Sequence, residues 1–551
     1  MVNRRVVLGE TKSNSVKTTL CLPFLGLAYF SCLSTGRAYD VLTNHNDVAR
    51  TGLTAQETIL TPADVSGLKI LFNKSLDGNV YAQPLCVANQ AVLENGVLVL
   101  KHGVIFVATE HGSVYAIDAK TGQIYWQVSL LDPGFSPIPV TDPKAKCGHI
   151  VPEESITATP VIDRNAGPNG QIFVVAMEVV YSTSGKGNYN YKLHALDLAT
   201  GKDALTPTII SASVSGQGPA TTFVAIRERC RPGLLLLNGT LYLAFGAFCE
   251  AQQHYSGWLL GYRESDLSQV AVFNDNPNGS PATSILPDGA GGGIWQSGLG
   301  PATDGTYVYV EVGNGPFDQT FSGGFPANQD FGDSALKLST TNGLSVSDYF
   351  TPFNVVMENT NDADLGSGGI VILPDIVDTN GNKHHLAVGT AKDRNIYLLD
   401  QDNLGKFNAS ANNVYQEIPS VNGRGSWSSI AYFNNSIYST GKGATLKRFQ
   451  FDFSNPDKPV LNPTLAAQTS QKFSFPAFTP SISANGTANA IVWGYEFSTT
   501  TAVLHAYDAT TLKELFNSGT LLGPGVKFAI PTVCNGRVYV GTLNSLVAFG
   551  L

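Results

Sequence analysis

Apolar, β-rich runs recur along the whole chain, broken by glycine and Asx turns, and amphipathic helical periodicity is scarce. "GVIFVATEHGSVYAIDAKTGQIYW" (103–126) shows the unit: one strand, a glycine turn, a second strand ending in Ile117–Asp118, a "KTG" turn, a third strand. The same grammar returns as "IFVVAMEVVYSTSGKGNYNYKLHALDLATGK" and "TLYLAFGAFCEAQQHYSGWLLGYRESDLSQVAVF". It returns again as "YVYVEVGNG…SALKLSTTNGLSVSDYF" and "HLAVGTAKDRNIYLLDQDNLGKF", and more weakly as "SIYSTGKGATLKRFQFD", "AIVWGYEFSTTTAVLHAYDATTLKEL" and "RVYVGTLNSLVAFG". A repeat of a few dozen residues marks a solenoid, propeller or array. Short antiparallel strands with Gly and Asp turns favour four-stranded propeller blades. The last copy stops at "NSLVAFGL" without an outermost strand, and "LKILFNKSLDG" (68–78) ahead of the first copy can supply it. The pattern therefore predicts an all-β, eight-bladed β-propeller from about Asp40 to the C-terminus. Strands from the two chain ends close the ring and leave no open edge. The acidic and hydroxyl residues of the turns are read as structural.

Composition adds location and excludes partners. Only 14% of the 551 residues are charged and 56 are glycine, which suits an ordered, loop-rich globule. The formal charge is −9; residues 1–38 hold five basic and one acidic residue, so the remainder carries −13. With no basic tract, nucleic acid is not an expected partner. Arg4, Arg5, Lys12 and Lys17 precede the apolar run "TTLCLPFLGLAYFSCL", and Gly36 and Ala38 stand at the −3 and −1 positions of a cleavage site. Residues 1–38 are read as an export signal, with an uncleaved anchor as the alternative. Residues 39–551 then form a single propeller domain, secreted or periplasmic, with no stable membrane span after cleavage. Five cysteines follow the signal, none in CxxC spacing, and the odd number leaves a thiol unpaired or paired between chains. Six Asn-x-Ser/Thr sites (Asn73, Asn238, Asn278, Asn408, Asn434 and Asn485) matter only in a glycosylating host.

Two stretches carry chemistry. "GGGIWQSG" (291–298) sets a glycine run before Trp295, and "VEVGNGPFD" (310–318) sets Asn314 between two glycines. Glycines allow close approach to a flat object, a tryptophan face can stack on it, and an asparagine carbonyl is a neutral ligand for a hard cation. The blade grammar "VYAIDAKTGQIYW" and "LHALDLATGK" resembles the repeat of quinoprotein dehydrogenases. That resemblance spans nearly all of the chain after residue 38, although outer-membrane assembly scaffolds share the repeat. In those enzymes pyrroloquinoline quinone and a calcium or lanthanide ion sit on the axis of an eight-bladed propeller.

The resemblance assigns roles residue by residue. Trp295 of "GGGIW" matches the indole beneath the quinone, and Asn314 matches a metal-binding asparagine. Glu250 in "GAFCEAQQHYSG" matches a metal-binding glutamate. In "NTNDADLGSGG" the catalytic base matches Asp362, with Asp364, two further on, as a possible extra metal ligand of the kind that accompanies lanthanide use. Lys392 of "AKDRNIYLLD" matches the cation that hydrogen-bonds the quinone. The chain departs from the family in three places. The adjacent cysteine pair is absent, Cys147 being single; Phe317 replaces a tryptophan of the asparagine loop; and the catalytic loop lacks its tryptophan. "RPGLLLLNG", "GIWQSG" and "DLGSGG" are closer to a little-characterised group of exported quinoprotein-like propellers. The resemblance implies an oxidoreductase acting on an alcohol, polyol or sugar hydroxyl, with a separate electron acceptor because no haem domain is present. The competing reading is a cofactor-free propeller that binds a ligand or protein as a scaffold. Scattered histidines (His149, His254, His384 and His385) give little support to a zinc site, and no G-x-S-x-G is found.

Overall fold

The structure is a computed structural model and describes residues 38–145, 147–248, 254–279 and 289–551. The export signal falls outside the described residues, apart from Ala38. Eight antiparallel sheets follow one another in sequence, at 85–129, 161–209, 228–274, 302–350, 370–418, 431–472, 481–517 and 532–550. We call them blades 1 to 8. The outermost strand of blade 8 is Lys69–Ser75, which pairs antiparallel with Ser545–Gly550, so the two chain ends close the ring as the sequence pattern predicts. Helix is limited to Val355–Thr360 and three short 3₁₀ turns among the described residues.

Eight apolar clusters hold the blades together among the described residues, one at each junction. Phe106 and Val114 of blade 1 pack with Ile172 and Val174 of blade 2. The series ends with Tyr539 and Ala548 of blade 8 against Tyr115 and Ile117 of blade 1. The central strands, such as Ser113–Asp118 and Ser545–Gly550, are buried on both faces, which is why they read as continuous apolar runs, while outer strands such as Ile124–Ser129 are partly exposed. The "D-x-x-T-G" turns are structural, as read from sequence. Asp197 Oδ1 accepts bonds from the Thr200 amide and hydroxyl, and Gly201 adopts φ +69° where a Cβ would lie 2.6 Å from the Trp126 ring.

The axis is plugged at one end by residues 39–57. This segment makes main-chain or side-chain hydrogen bonds to the innermost part of every blade. Val41 exchanges bonds with Cys86 of blade 1, and Leu42 accepts from Ile162 of blade 2. Arg50 donates to Leu234 O, at the start of blade 3. Val48, Ala49, Thr51 and Gly52 accept from Thr303, Ile372, Tyr432 and Ile482 of blades 4 to 7. Glu57 accepts from Gly536 of blade 8. A disulfide between Cys86 and Cys534 staples blade 8 to blade 1 across 448 residues of sequence. Cys147 is also disulfide-bonded, and Cys230 is a buried free thiol.

Several segments that lead into inner strands present side chains to an axial cavity a few residues before their contact with this hub. Trp295 precedes Thr303, Trp427 precedes Tyr432, and Phe475 precedes Ile482.

Candidate functional site

Trp295 follows three consecutive glycines with φ of 129°, 86° and 104°. The glycines are buried; Gly291 and Gly292 pack closely on protein, and Gly292 also lines a small niche beside Trp295. A Cβ on Gly292 would lie 2.6 Å from the Asp275 carboxylate, and one on Gly291 would lie 2.8 Å from Gly315. Asp275 accepts the amides of Gly257 and Gly293, and burial pushes its carboxyl up to about 7. The glycines thus let the loop fold tightly against the Asn314 turn, where Gly292 N donates to Asn314 O at 2.6 Å. Trp295 is left half-buried with its indole on the axial cavity.

Asp362 and Asp364 come from the segment leading into blade 5. The short helix Val355–Thr360 ends in a Schellman motif. Asp362 N donates to Asn359 O and Ala363 N to Glu358 O, with Asp362 in the left-handed region at φ +55°. Asn359 Nδ2 ties this helix end to Gly315 O at 2.9 Å. Ser297 Oγ ties the Trp295 loop to Ser367 O at 2.6 Å. Two loops distant in sequence are thereby locked side by side.

The structure brings five of the six sequence-predicted residues together. Lys392 Nζ lies 2.8 Å from Asp362 Oδ1, 2.5 Å from Asp364 Oδ2 and 5.5 Å from the centre of the Trp295 ring. Asn314 donates its amide N–H to Asp364 Oδ1 at 2.6 Å and its side-chain NH₂ to Asp362 Oδ1 at 2.8 Å. Burial pulls the Lys392 ammonium down, but the carboxylates of Asp364 and Asp362 outweigh it and its pKa is raised. The Asn314 side-chain oxygen, Oδ1, is buried and has no hydrogen-bond partner among the described residues. It lies in a niche of about 20 Å³ lined also by Trp295, Asp362 and Asp364. Glu250, the sixth residue, lies outside the described residues. Behind Asp364, buried Asp333 accepts the Leu365 amide; burial, then the charges of Asp364 and Glu358, holds its carboxyl well above the usual range.

Sequence reasoning missed most of the cavity wall. The cavity, of about 190 Å³, is lined on one side by Trp295, Lys392 and Trp427, and on the other by Arg229, Arg231, His149 and Lys527. Trp427 had a legible signal: Gly-x-Trp-x-Ser occurs at 293–297 and again at 425–429. The basic residues had none, because they are scattered through an acidic chain. Arg229 is paired with Glu154 through two bonds of 2.6 and 2.9 Å. Burial and the charges of Arg229, Arg231 and Lys527 push the His149 imidazole down to about 3, which leaves it neutral.

Residues 73–151 match a family model described as outer membrane protein assembly factor BamB. No curated protein matches the chain. Among solved structures, the quinohemoprotein alcohol dehydrogenase of Comamonas testosteroni is similar with a TM-score of 0.58 at 16% identity, over 93% of this chain and 80% of that one. A quinohemoprotein alcohol dehydrogenase of Pseudomonas putida HK5 gives 0.60 at 14% identity, over 93% and 80%. A europium-containing methanol dehydrogenase gives 0.58 at 14% identity, over 93% and 98%. At these identities the likeness is one of fold, and the chain is a quinoprotein-like eight-bladed β-propeller.

Proposed function

We propose that the protein is an oxidoreductase that oxidises an alcohol, polyol or sugar hydroxyl with pyrroloquinoline quinone held beside a calcium or lanthanide ion on the propeller axis. The observation that carries this reading is the convergence of Trp295, Asn314, Asp362, Asp364 and Lys392, from separate loops, around a niche that shares Trp295 with the axial cavity. The residues fit the group. The unpartnered Asn314 oxygen faces a niche with room for one ion or water, beside the Asp364 carboxylate, which is the donor chemistry of a hard cation. On the resemblance, Glu250 completes the ion's protein ligands and the Trp295 face supports the quinone ring. When bound, the quinone supplies the hydride acceptor and the ion supplies Lewis acidity.

The chain's own residues define the proton chemistry. Asp362 Oδ1 receives two donors, Lys392 Nζ and Asn314 Nδ2. That fixes the carboxylate and leaves Oδ2 to accept the proton of a substrate hydroxyl. Its side chain is 69% exposed, so substrate can reach it. Lys392 is positioned to stabilise negative charge developing over Trp295. Reoxidation falls to a separate acceptor. The disulfide supports an oxidising compartment, in keeping with residues 1–38 as an export signal.

Dye-linked oxidation of an alcohol, polyol and sugar panel tests the reading, using protein supplied with quinone and calcium. Wild type turns over, and Asp362→Asn loses about 10²-fold or more while its circular dichroism stays unchanged. Wild-type turnover in a folded Asp362→Asn protein rules out Asp362 as the base.

A further inference from the structure

We propose that Arg231 and Lys527 form a carboxylate-binding subsite of the axial cavity, so that the cavity's occupant is an organic acid. Arg231 is 7% exposed and lines the cavity, yet its guanidinium makes no hydrogen bond or ion pair among the described residues. Its one aromatic contact is the face of Phe528, 5.1 Å away. Lys527 lines the same cavity and is likewise without a hydrogen bond or ion pair among the described residues. The carboxylates that bear on Arg231 do not neutralise the pair. Glu154 is engaged by Arg229, and burial and the Glu154 charge push Glu110 up to about 8, which leaves it protonated at neutral pH. Nearby His149 is neutral.

A buried guanidinium left unpaired is expensive, and a chain that retains one beside a second free cation is built to receive an anion. Charge-assisted bonds from guanidinium and ammonium to carboxylate are the strong kind. The remaining walls are the faces of Trp295, Trp427, Phe475 and Phe528, which suit an organic body rather than a small inorganic ion. The subsite follows from the cavity's own charge balance, with or without the redox reading. The carboxylate has two possible sources: the quinone cofactor, or a substrate that is itself an acid bearing a hydroxyl group.

Calorimetric titration of the purified protein, chelated and then resupplied with calcium, with pyrroloquinoline quinone, with gluconate and with neutral sorbitol distinguishes them, repeated on Arg231→Gln and Lys527→Gln. At least one carboxylate probe binds saturably, and each substitution weakens it about tenfold or more. Sorbitol shows no such dependence. Quinone binding that needs the pair assigns the subsite to the cofactor. Gluconate binding that needs the pair, without any quinone uptake, keeps the subsite and removes the quinone. Wild-type affinity in both variants for every acid that binds overturns the subsite, and so does the absence of binding by both acids. Lys527 is only half-buried, so its variant carries the test even if Arg231→Gln does not fold.

Discussion

Arg50 and Arg231 are both buried on the axis of the ring, one at the hub and one in the cavity. Every guanidinium nitrogen of Arg50 has a partner: Nε donates to Pro301 O, Nη1 to Thr43 Oγ1, Asn44 O and Asp47 O, and Nη2 to Leu234 O. Arg231 donates no side-chain hydrogen bond among the described residues and faces a cavity. The same contrast runs through their surroundings. At the hub, the His45 ring nitrogens lie 2.6 and 2.8 Å from the Arg50 and Pro480 carbonyls, and burial lowers its pKa, so one N–H donates to one of the two. At the cavity, Asn314 Oδ1 has no partner, and Lys527 no hydrogen bond or ion pair, among the described residues. One end of the axis is densely hydrogen-bonded and ties the eight blades together. The other end carries unmet polar capacity, which is costly unless a ligand meets it.

Substitutions can sharpen or break that contrast. The largest effect belongs to the hub. Arg50→Ala orphans several buried carbonyls and is expected to cost about 4 kcal/mol or more, read as a lowered urea midpoint. A cost under about 1 kcal/mol would show that the plug does not hold the ring. Next comes the staple. Replacing Cys86 and Cys534 together with serine is expected to lower stability by about 2–5 kcal/mol, because the bond closes a very long loop. Thermal unfolding with and without reductant measures it.

At the cavity the sign reverses. Arg231→Gln removes an uncompensated buried charge, so the ligand-free protein should be as stable as wild type or more stable by about 1 kcal/mol. A loss as large as that of Arg50→Ala would erase the distinction between the two ends. The smallest effect is one of pH. Burial, then the charges of Arg231 and Arg229, pushes Lys527 down to about 8 from its usual 10.5. Between those values the unfolded chain binds more protons, so stability of the ligand-free protein rises with pH from about 8 to 10.5. Lys527→Gln should flatten that rise in urea titrations. Carboxylate binding should run the other way and weaken as pH rises through about 8.

The blades were legible because their signal is local. The strand, "D-x-x-T-G" turn and missing last strand all lie within short windows, and they fixed blade number and closure. The hub was not legible. "TNHNDVARTGLT" reads as a polar loop, and its partners lie up to hundreds of residues away, mostly as main-chain groups without a sequence signature. Of the site, Trp295, Asn314, Asp362, Asp364 and Lys392 converge as the resemblance implied. The packing of Asp275 on the glycines before Trp295 was not legible, because Asp275 approaches from another turn. Arg231 and Lys527 escaped notice because burial without a partner is a property of the folded chain. The net charge of −9 also conceals a basic pocket.

The most direct test of the central claim is a titration of the purified, chelated protein with pyrroloquinoline quinone plus calcium, then lanthanum, followed by tryptophan fluorescence. Trp295 and Trp427 both line the cavity, so an occupant reports on itself. The account predicts saturable quenching that needs the metal ion and is greatly reduced in Trp295→Phe. No quenching with either ion, or equal quenching in Trp295→Phe, would contradict a quinone held on the propeller axis.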